Sequence, residues 1–229
     1  MIEVYVSLPC LQFSSREREI IKEVNPCILT FPEFHDNYFV RYKRFGDRNW
    51  IKLFLNSIEK YRDFLVFVIY PDGQFNYTWL LDEYNVNWVY PLHYKRETDF
   101  ILKYGFEWIG IPHRSKWRDY DMEWYFDFTK QYGLKRWYLG WWLEREPELL
   151  REFDGFDTTL PEFYAYKCGK IWYSPYNWER VGPTREYKAI DLFRLNVENF
   201  NKWIQDYLGN ITCVKESPHC FGKEKCSSQ

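Results

Sequence analysis

Side chains that can transfer protons or bind polar ligands follow several of the short apolar runs in this sequence. Asp157 ends the run Gly155-Phe156-Asp157, and Asp72 follows a β-branched run within Tyr70-Pro71-Asp72-Gly73. A carboxylate fixed at such a point can act as a nucleophile or as a general base. The other candidates in comparable positions are Glu33, His93, His113, Arg114, Trp141, Trp142 and Glu144.

The strongest candidates also have ordinary structural explanations. Asp157 can cap a helix that begins at Pro161, although Thr159 fits that position too. The segment around Asp72 is a common turn sequence. His93 and His113 each follow a strand and a proline, and with a carboxylate they could bind a metal or grip a substrate. Substrate binding is favoured, because the sequence has no closely spaced ligand pair such as His-x-His.

Short apolar runs alternate with amphipathic segments along the chain, and this pattern determines where the candidates lie. Strands that alternate with helices form parallel βαβ units. Eight such units in about 210 residues predict a (β/α)8 TIM-type barrel of the α/β class, with a doubly wound sheet as the alternative. The predicted strands are Ile2–Ser7, Cys27–Thr30, Leu65–Tyr70, Asn87–Pro91, Glu107–Ile111, Arg136–Gly140, Gly155–Asp157 and Lys170–Tyr173.

The domain organisation follows from the same pattern. We expect one barrel domain over residues 1–209 and a polar, cysteine-containing tail over residues 210–229. In such barrels the active site is built from the loops after the strands, so the candidate side chains should converge there. Zinc in the tail is disfavoured relative to free thiols or a disulfide, because the ligand spacing is wider than Cys-x2-Cys. The tail side chains concerned are Cys213, His219, Cys220 and Cys226.

The composition excludes several classes of protein. The net charge of −2 and the pI near 6.1 lack the basic balance of a typical nucleic-acid-binding protein. Any contact with nucleic acid must therefore use local clusters, such as Arg41–Arg48 or Arg114–Arg118. No apolar run is long enough to span a membrane, and the N-terminus lacks signal-peptide features. We therefore expect a cytoplasmic protein without disulfides in its body.

Aromatic residues make up 22% of the chain, whereas alanine occurs only at Ala165 and Ala189. The first interpretation of this bias is that rings fill core volume usually filled by leucine and alanine. It also fits an AT-rich genome, such as that of an archaeon or one of its viruses.

Two consecutive segments resemble the barrel of the tRNA-guanine transglycosylase family. The first contains Lys135–Gly140, a strand ending in glycine, followed by Glu146-Pro147. The second is Gly155-Phe156-Asp157-Thr158-Thr159-Leu160-Pro161, followed by a small residue and a glycine in the range Ala165–Gly169. The resemblance implies a (β/α)8 barrel in which Asp157 is the nucleophile that attacks the ribose C1′ and releases the base.

Upstream, the resemblance extends to single positions. Asp72 matches the strand-end aspartate that reads the purine-like base. Phe31 occupies the place of the family's general acid/base aspartate, and Glu33 is a displaced substitute for it. His93 and His113 stand where the family has Gly-Gly loops. The family's Cys-x-Cys-x2-Cys zinc group is absent.

Three functions follow from these observations, and the first is favoured. It is a transglycosylase-like enzyme acting at the C1′ of a (deaza)guanine nucleoside in nucleic acid. His93, His113 and Arg114 would hold the base or phosphate, and Trp141 and Trp142 would stack a flipped base.

The second function is a carbohydrate-active hydrolase, in which Glu33, Glu144 or Asp72 pairs with Asp157. The third is a non-catalytic barrel that serves as a binding or interaction protein. The fold alone does not choose among the three.

Overall fold

A parallel sheet of eight strands curls into a nearly closed barrel, which confirms the predicted (β/α)8 class. Around the sheet its strands follow the order β2-β1-β8-β7-β6-β5-β4-β3. The strands are β1 (Tyr5–Leu8), β2 (Leu29–Thr30), β3 (Phe34–His35), β4 (Phe67–Ile69), β5 (Asn87–Pro91), β6 (Trp108–Pro112), β7 (Lys135–Leu139) and β8 (Gly155–Asp157). The computed structural model describes residues 4–9, 14–37, 39, 46–113, 121–141, 146–181 and 188–214.

The second predicted strand is longer than the sequence indicated and is divided into β2 and β3. The two segments are separated by Phe31–Glu33, which includes a cis Phe31-Pro32 peptide bond. β2 pairs with β1, whereas β3 pairs with β4. The strand therefore ends at His35 rather than at Thr30, which brings different residues to the C-terminal edge of the sheet.

The expectation that Lys170–Tyr173 forms a barrel strand was wrong. This segment is β9 (Lys170–Ser174), which pairs antiparallel with β10 (Asn177–Arg180) in a separate two-stranded sheet. A turn at Pro175-Tyr176 folds β10 back onto β9. Instead, β8 pairs directly with β1, so the last strand of the barrel lies beside the first.

Helices connect the strands and cover the outside of the sheet. The predicted glycine stops are present, since Gly105 and Gly133 both adopt the left-handed conformation after their helices. None of the helices in the described ranges is long and apolar enough to cross a membrane. The helices are α1 (Ser15–Val24), α2 (Trp50–Lys60), α3 (Trp79–Glu83), α4 (Thr98–Tyr104), α5 (Met122–Tyr132), α6 (Leu160–Glu162, continued by a π-helical turn Phe163–Cys168) and α7 (Ala189–Tyr207), with 3-10 turns at Arg62–Phe64, Lys95–Glu97 and Pro147–Glu152.

Aromatic rings fill the interior of the barrel. Trp137 stacks on Phe34 with ring centroids 4.8 Å apart, and Phe67 meets Trp108 edge-on at 5.0 Å. Gly155 makes room for this packing, because a Cβ atom there would lie 2.6 Å from the Trp137 ring. The interior is therefore a packed core, and the active sites of such barrels lie above it, at the C-terminal edge of the strands. We call this edge the barrel mouth.

The first residues of the predicted tail are joined to the barrel. Val4 donates a backbone hydrogen bond to Asn210 and accepts one from Thr212. Cys213 then forms a disulfide with Cys27, which corrects the expectation of no disulfide in the body of the protein. The two cysteines meet because the 210–212 segment runs alongside the start of β1.

The disulfide removes one of the four candidate zinc ligands in the tail. The Cys213 sulfur is bonded and cannot serve as a thiolate ligand. The other three tail candidates, His219, Cys220 and Cys226, lie outside the described residues. Within the described residues, no group of three or more His, Cys, Asp or Glu side chains could hold a metal ion.

Candidate active site

Asp157 lies at the barrel mouth and is held in place by two N–H donors. The indole Nε1 of Trp137 donates to its Oδ1 at 3.0 Å, and the backbone N of Gly140 donates to its Oδ2 at 3.1 Å. No Lys or Arg of the described ranges forms an ion pair with it. Within the described ranges, the carboxyl group is thus fixed by neutral donors without a compensating positive charge.

Burial raises the pKa of Asp157 to about 7. The hydrogen bonds from Trp137 and Gly140 act in the opposite direction and lower this pKa, whereas the negative charge of Asp36 raises it. Near neutral pH the carboxyl group therefore exists in both protonation states. A group in this condition can give up or take a proton during a reaction.

Two residues at the mouth were missed by the sequence analysis, and Asp36 is the first. It reaches the mouth because β3 continues the strand to His35. The His35 ring fixes this strand end by hydrogen bonds to the Asp36 carbonyl and to Ser57 Oγ, both 2.8 Å long. Burial lowers the pKa of His35 to about 4, so its ring is neutral.

The second missed residue is Ser7. It is the register partner of Asp157 across the β1–β8 pair, and it is fully buried. It faces the barrel interior, because Tyr5, two residues earlier on the same strand, packs on Phe67 inside the barrel. Its Oγ has no hydrogen-bond partner among the described residues. The alternation Val4-Tyr5-Val6-Ser7 was the sequence signal that could have identified an inward-facing hydroxyl beside Asp157.

Asp72 and His93 meet on the other side of the sheet. The buried Asp72 carboxylate is hydrogen-bonded to Nε2 of His93 and accepts a hydrogen bond from Nδ2 of Asn37. The same amide nitrogen donates to the Tyr70 carbonyl at 2.6 Å. The structure thus brings two sequence candidates together in one hydrogen-bond network, with Asn37 as a partner that the sequence analysis missed.

Glu97 extends this network beneath His93. Its Oε2 accepts the backbone N–H groups of His93 and Tyr94 at 2.9 and 3.0 Å. Burial raises the pKa of Glu97, while the two backbone donors lower it. On the far side, the Tyr125 hydroxyl donates to the His93 carbonyl at 3.2 Å. His93 is therefore held through its ring and its backbone.

Glu33 and His113 occupy separate places. Glu33 forms an ion pair with Lys22 of α1 at 2.7 Å and accepts the Thr30 N–H at 2.9 Å. It therefore ties the β2–β3 connection to α1. His113 follows β6, where its Nδ1 lies 3.0 Å from the Tyr138 hydroxyl oxygen.

Trp141 differs from the expectation that its ring stacks a base. The side chain is fully buried, and its indole lies parallel to that of Trp203 in α7 at a centroid distance of 5.5 Å. It also contacts Phe156 edge-on. The ring is therefore part of the core between sheet and helices. Arg114, Trp142 and Glu144, the remaining candidates, lie outside the described residues.

Comparison with known proteins relates the chain to a viral protein. No family model matches it. It is 32% identical over 139 residues to the "Uncharacterized protein ORF192" of Acidianus two-tailed virus, and the match covers 58% of the chain and 68% of ORF192. The chain belongs to the family of this viral protein. The source of ORF192 is a virus, in line with the archaeal or viral origin that the composition suggested for this chain.

Proposed function

We propose that this member of the ORF192 family is a transglycosylase-like enzyme that acts at the C1′ of a (deaza)guanine nucleoside in nucleic acid. The observation that carries the proposal is the setting of Asp157. It is a strand-end carboxyl at the mouth of a (β/α)8 barrel, pinned by Trp137 and Gly140, with a pKa raised to about 7. Catalytic carboxyl groups in barrels occupy this position.

The reaction assigns a separate task to each carboxylate. An ionised oxygen of Asp157 forms a bond to C1′ as the glycosidic bond breaks, and the electron pair of that bond leaves with the base nitrogen, which takes up a proton from water. In the second step, an incoming base attacks C1′ and releases Asp157, and Asp36 accepts the N–H proton of that base. Asp36 suits this role because its negative charge already acts on Asp157. The two N–H donors keep the nucleophile aligned for attack.

The test is base exchange with radiolabelled guanine. The purified chain is incubated with labelled guanine and either tRNA or double-stranded DNA, and the label in precipitated nucleic acid is counted. We expect incorporation by the native chain, and a loss of at least ~1,000-fold in Asp157→Ala and Asp157→Asn. Asp82→Ala, which removes an exposed carboxylate from α3, is the matched control and should retain activity. Full activity of both Asp157 variants would contradict the proposal, as would no incorporation by the native chain.

A glycoside hydrolase is the second candidate, and the effect of the Asp36 charge on the pKa of Asp157 favours it. Most glycoside hydrolases use a pair of carboxyl groups to hydrolyse the glycosidic bond. Release of nitrophenol from aryl glycosides, lost in Asp157→Asn and without any base exchange, would support this candidate over the first.

A non-catalytic binding barrel is the third candidate, and the burial of Trp141 favours it. A ring locked against Trp203 cannot stack a flipped base at the mouth. Neither base exchange nor glycoside hydrolysis by the native chain would support this candidate.

A further inference from the structure

Exposed aromatic rings are concentrated on the β9–β10 hairpin, which lies outside the eight-stranded sheet. Tyr173, Tyr176 and Trp178 are 40%, 70% and 44% exposed. The hairpin already has a buried anchor in Trp172, which packs on Phe200 and Trp203. Packing against the body of the protein therefore accounts for Trp172. Tyr173 donates a hydrogen bond to Oε2 of Glu179 at 3.1 Å, and its side chain lies on the opposite face of the hairpin from Trp178, because Trp178 is the cross-strand partner of Trp172.

The ring at the tip of the hairpin belongs to a residue with a strained backbone conformation. Tyr176 has a φ of 64°, in the left-handed region that glycine and asparagine adopt most readily. A tyrosine in this conformation costs roughly 1 kcal/mol or more. Such local strain is concentrated at functional positions in proteins. A ring that is both strained at its backbone and the most exposed of the three is well suited to contact a ligand.

A pair of cations lies at the base of the same hairpin. Lys170 and Arg180 are direct cross-strand partners, and like charges in this arrangement repel each other. Neither forms an ion pair with a carboxylate in the described part of the chain. Lys170 Nζ also lies 3.0 Å from the ring centroid of Trp178. An anionic group placed beside this pair would relieve the repulsion.

We infer that the β9–β10 hairpin is a docking site for single-stranded nucleic acid. Unpaired bases stack on Tyr176 and Trp178, and a backbone phosphate lies against Lys170 and Arg180, which share a face of the hairpin with Trp178. Stacking surfaces interleaved with cations are the recognised combination for single strands, since every base has a face that can stack. This site goes beyond the proposed function, because its residues belong to a sheet separate from the one that carries Asp157.

The charge of the protein predicts how this binding depends on salt. The net charge is −2, and the hairpin offers two cations, so stacking must supply most of the affinity. Each phosphate contact to a single strand contributes about −0.7 to the slope of log K against log salt. The expected slope for the one phosphate is therefore shallow, on the order of −0.7.

Fluorescence anisotropy with labelled dT12 and rU12 tests the site, using the full chain at several KCl concentrations. We expect Trp178→Ala and Tyr176→Ala to weaken binding by about tenfold each, and Trp178→Phe to retain most of it. Trp79→Ala is the matched control, because Trp79 is 48% exposed but lies on α3, and it should bind like the native chain. Circular dichroism of each variant checks that the fold is intact.

The outcomes separate this inference from its competitors and from the proposed function. Asp157→Asn should bind the oligonucleotides normally even if base exchange is lost or was never present. The inference is overturned if the native chain binds neither oligonucleotide, or if Trp79→Ala weakens binding as much as Trp178→Ala. A slope steeper than about −3 would overturn it too, since that slope indicates general phosphate binding. Light scattering that shows a dimer abolished by Trp178→Ala would mean that a second copy covers the hairpin.

Discussion

Asp157 and Asp72 both follow strands of the same parallel sheet, but their surroundings are opposite in character. Asp157 receives hydrogen bonds from two neutral N–H groups and lies near the negative charge of Asp36. Asp72 is bonded to the His93 ring and to Asn37. The first carboxyl group is left with a pKa raised to about 7, and the second is part of a buried, partnered network.

The difference shows that a strand-end position does not decide what a carboxylate does. Its partners do, because they determine whether the charge is balanced within the fold. His93 is itself anchored through its backbone to Glu97 and Tyr125, so the Asp72 side of the barrel is tied together at several points. We therefore expect Asp72 mainly to hold its side of the barrel together, and Asp157 to change protonation state with little effect on its neighbours.

Removing Asp72 should produce the largest change in stability. Asp72→Ala removes the buried carboxylate that is hydrogen-bonded to both the His93 ring and the Asn37 amide, and breaking a buried pair in this way costs about 3–5 kcal/mol. We expect a decrease of that size in the free energy of unfolding, measured by urea denaturation at pH 7. Asp82→Ala on the exposed side of α3 should change stability by less than about 0.5 kcal/mol. A loss below about 1 kcal/mol for Asp72→Ala would show that the network is not a structural unit.

Asp157→Asn should change how stability depends on pH. The pKa of Asp157 in the fold lies above its value near 3.9 in the unfolded chain, so the folded state holds the proton more tightly. The stability from this group is therefore complete below about pH 4 and is lost as the pH rises through about 7, by on the order of 4 kcal/mol. Asparagine cannot ionise, so the variant should lack this decline.

The measurement is urea denaturation of the native chain and Asp157→Asn at several values between pH 4 and pH 8. The free energy of unfolding of the native chain minus that of the variant should fall across this range and then level off. A constant difference would show that Asp157 titrates normally, and would remove the contrast with Asp72.

Local sequence patterns were sufficient for the barrel class and for the position of Asp157 at the end of a strand. Short apolar runs bounded by turn signals have the right length for buried parallel strands, and glycine stops at Gly105 and Gly133 separate them from the helices. Asp36 was missed because β3 is only two residues long and follows a proline, so it produces no periodic signal. Strand ends that depend on pairing with a neighbour cannot be located from the run itself.

Contacts between distant parts of the chain were also beyond local patterns. Trp141 follows a strand and a glycine, which is typical of an exposed loop, yet Trp203 of the last helix covers it. Cys27 and Cys213 are separated by 186 residues, and only the return of the chain alongside β1 brings them together. Both features arise from how the last helix and its extension close over the barrel.

The smallest predicted effect concerns the hydrogen bond from Trp137 to Asp157. In the native chain, the hydrogen bond from Trp137 Nε1 lowers the pKa of Asp157. Trp137→Phe keeps a ring in the barrel interior but removes this donor. The pKa should therefore rise further, by roughly 0.5–1 unit, as expected for the loss of about 1 kcal/mol of hydrogen bonding. Carboxyl 13C NMR titration measures the pKa of Asp157 in both chains.

Trp108→Phe is the matched control. The indole N–H of Trp108 has no hydrogen-bond partner among the described residues, and the loss of the indole opens a similar cavity. Equal shifts in the two variants would trace the effect to looser packing, and a shift confined to Trp137→Phe would trace it to the donor that distinguishes Asp157 from Asp72.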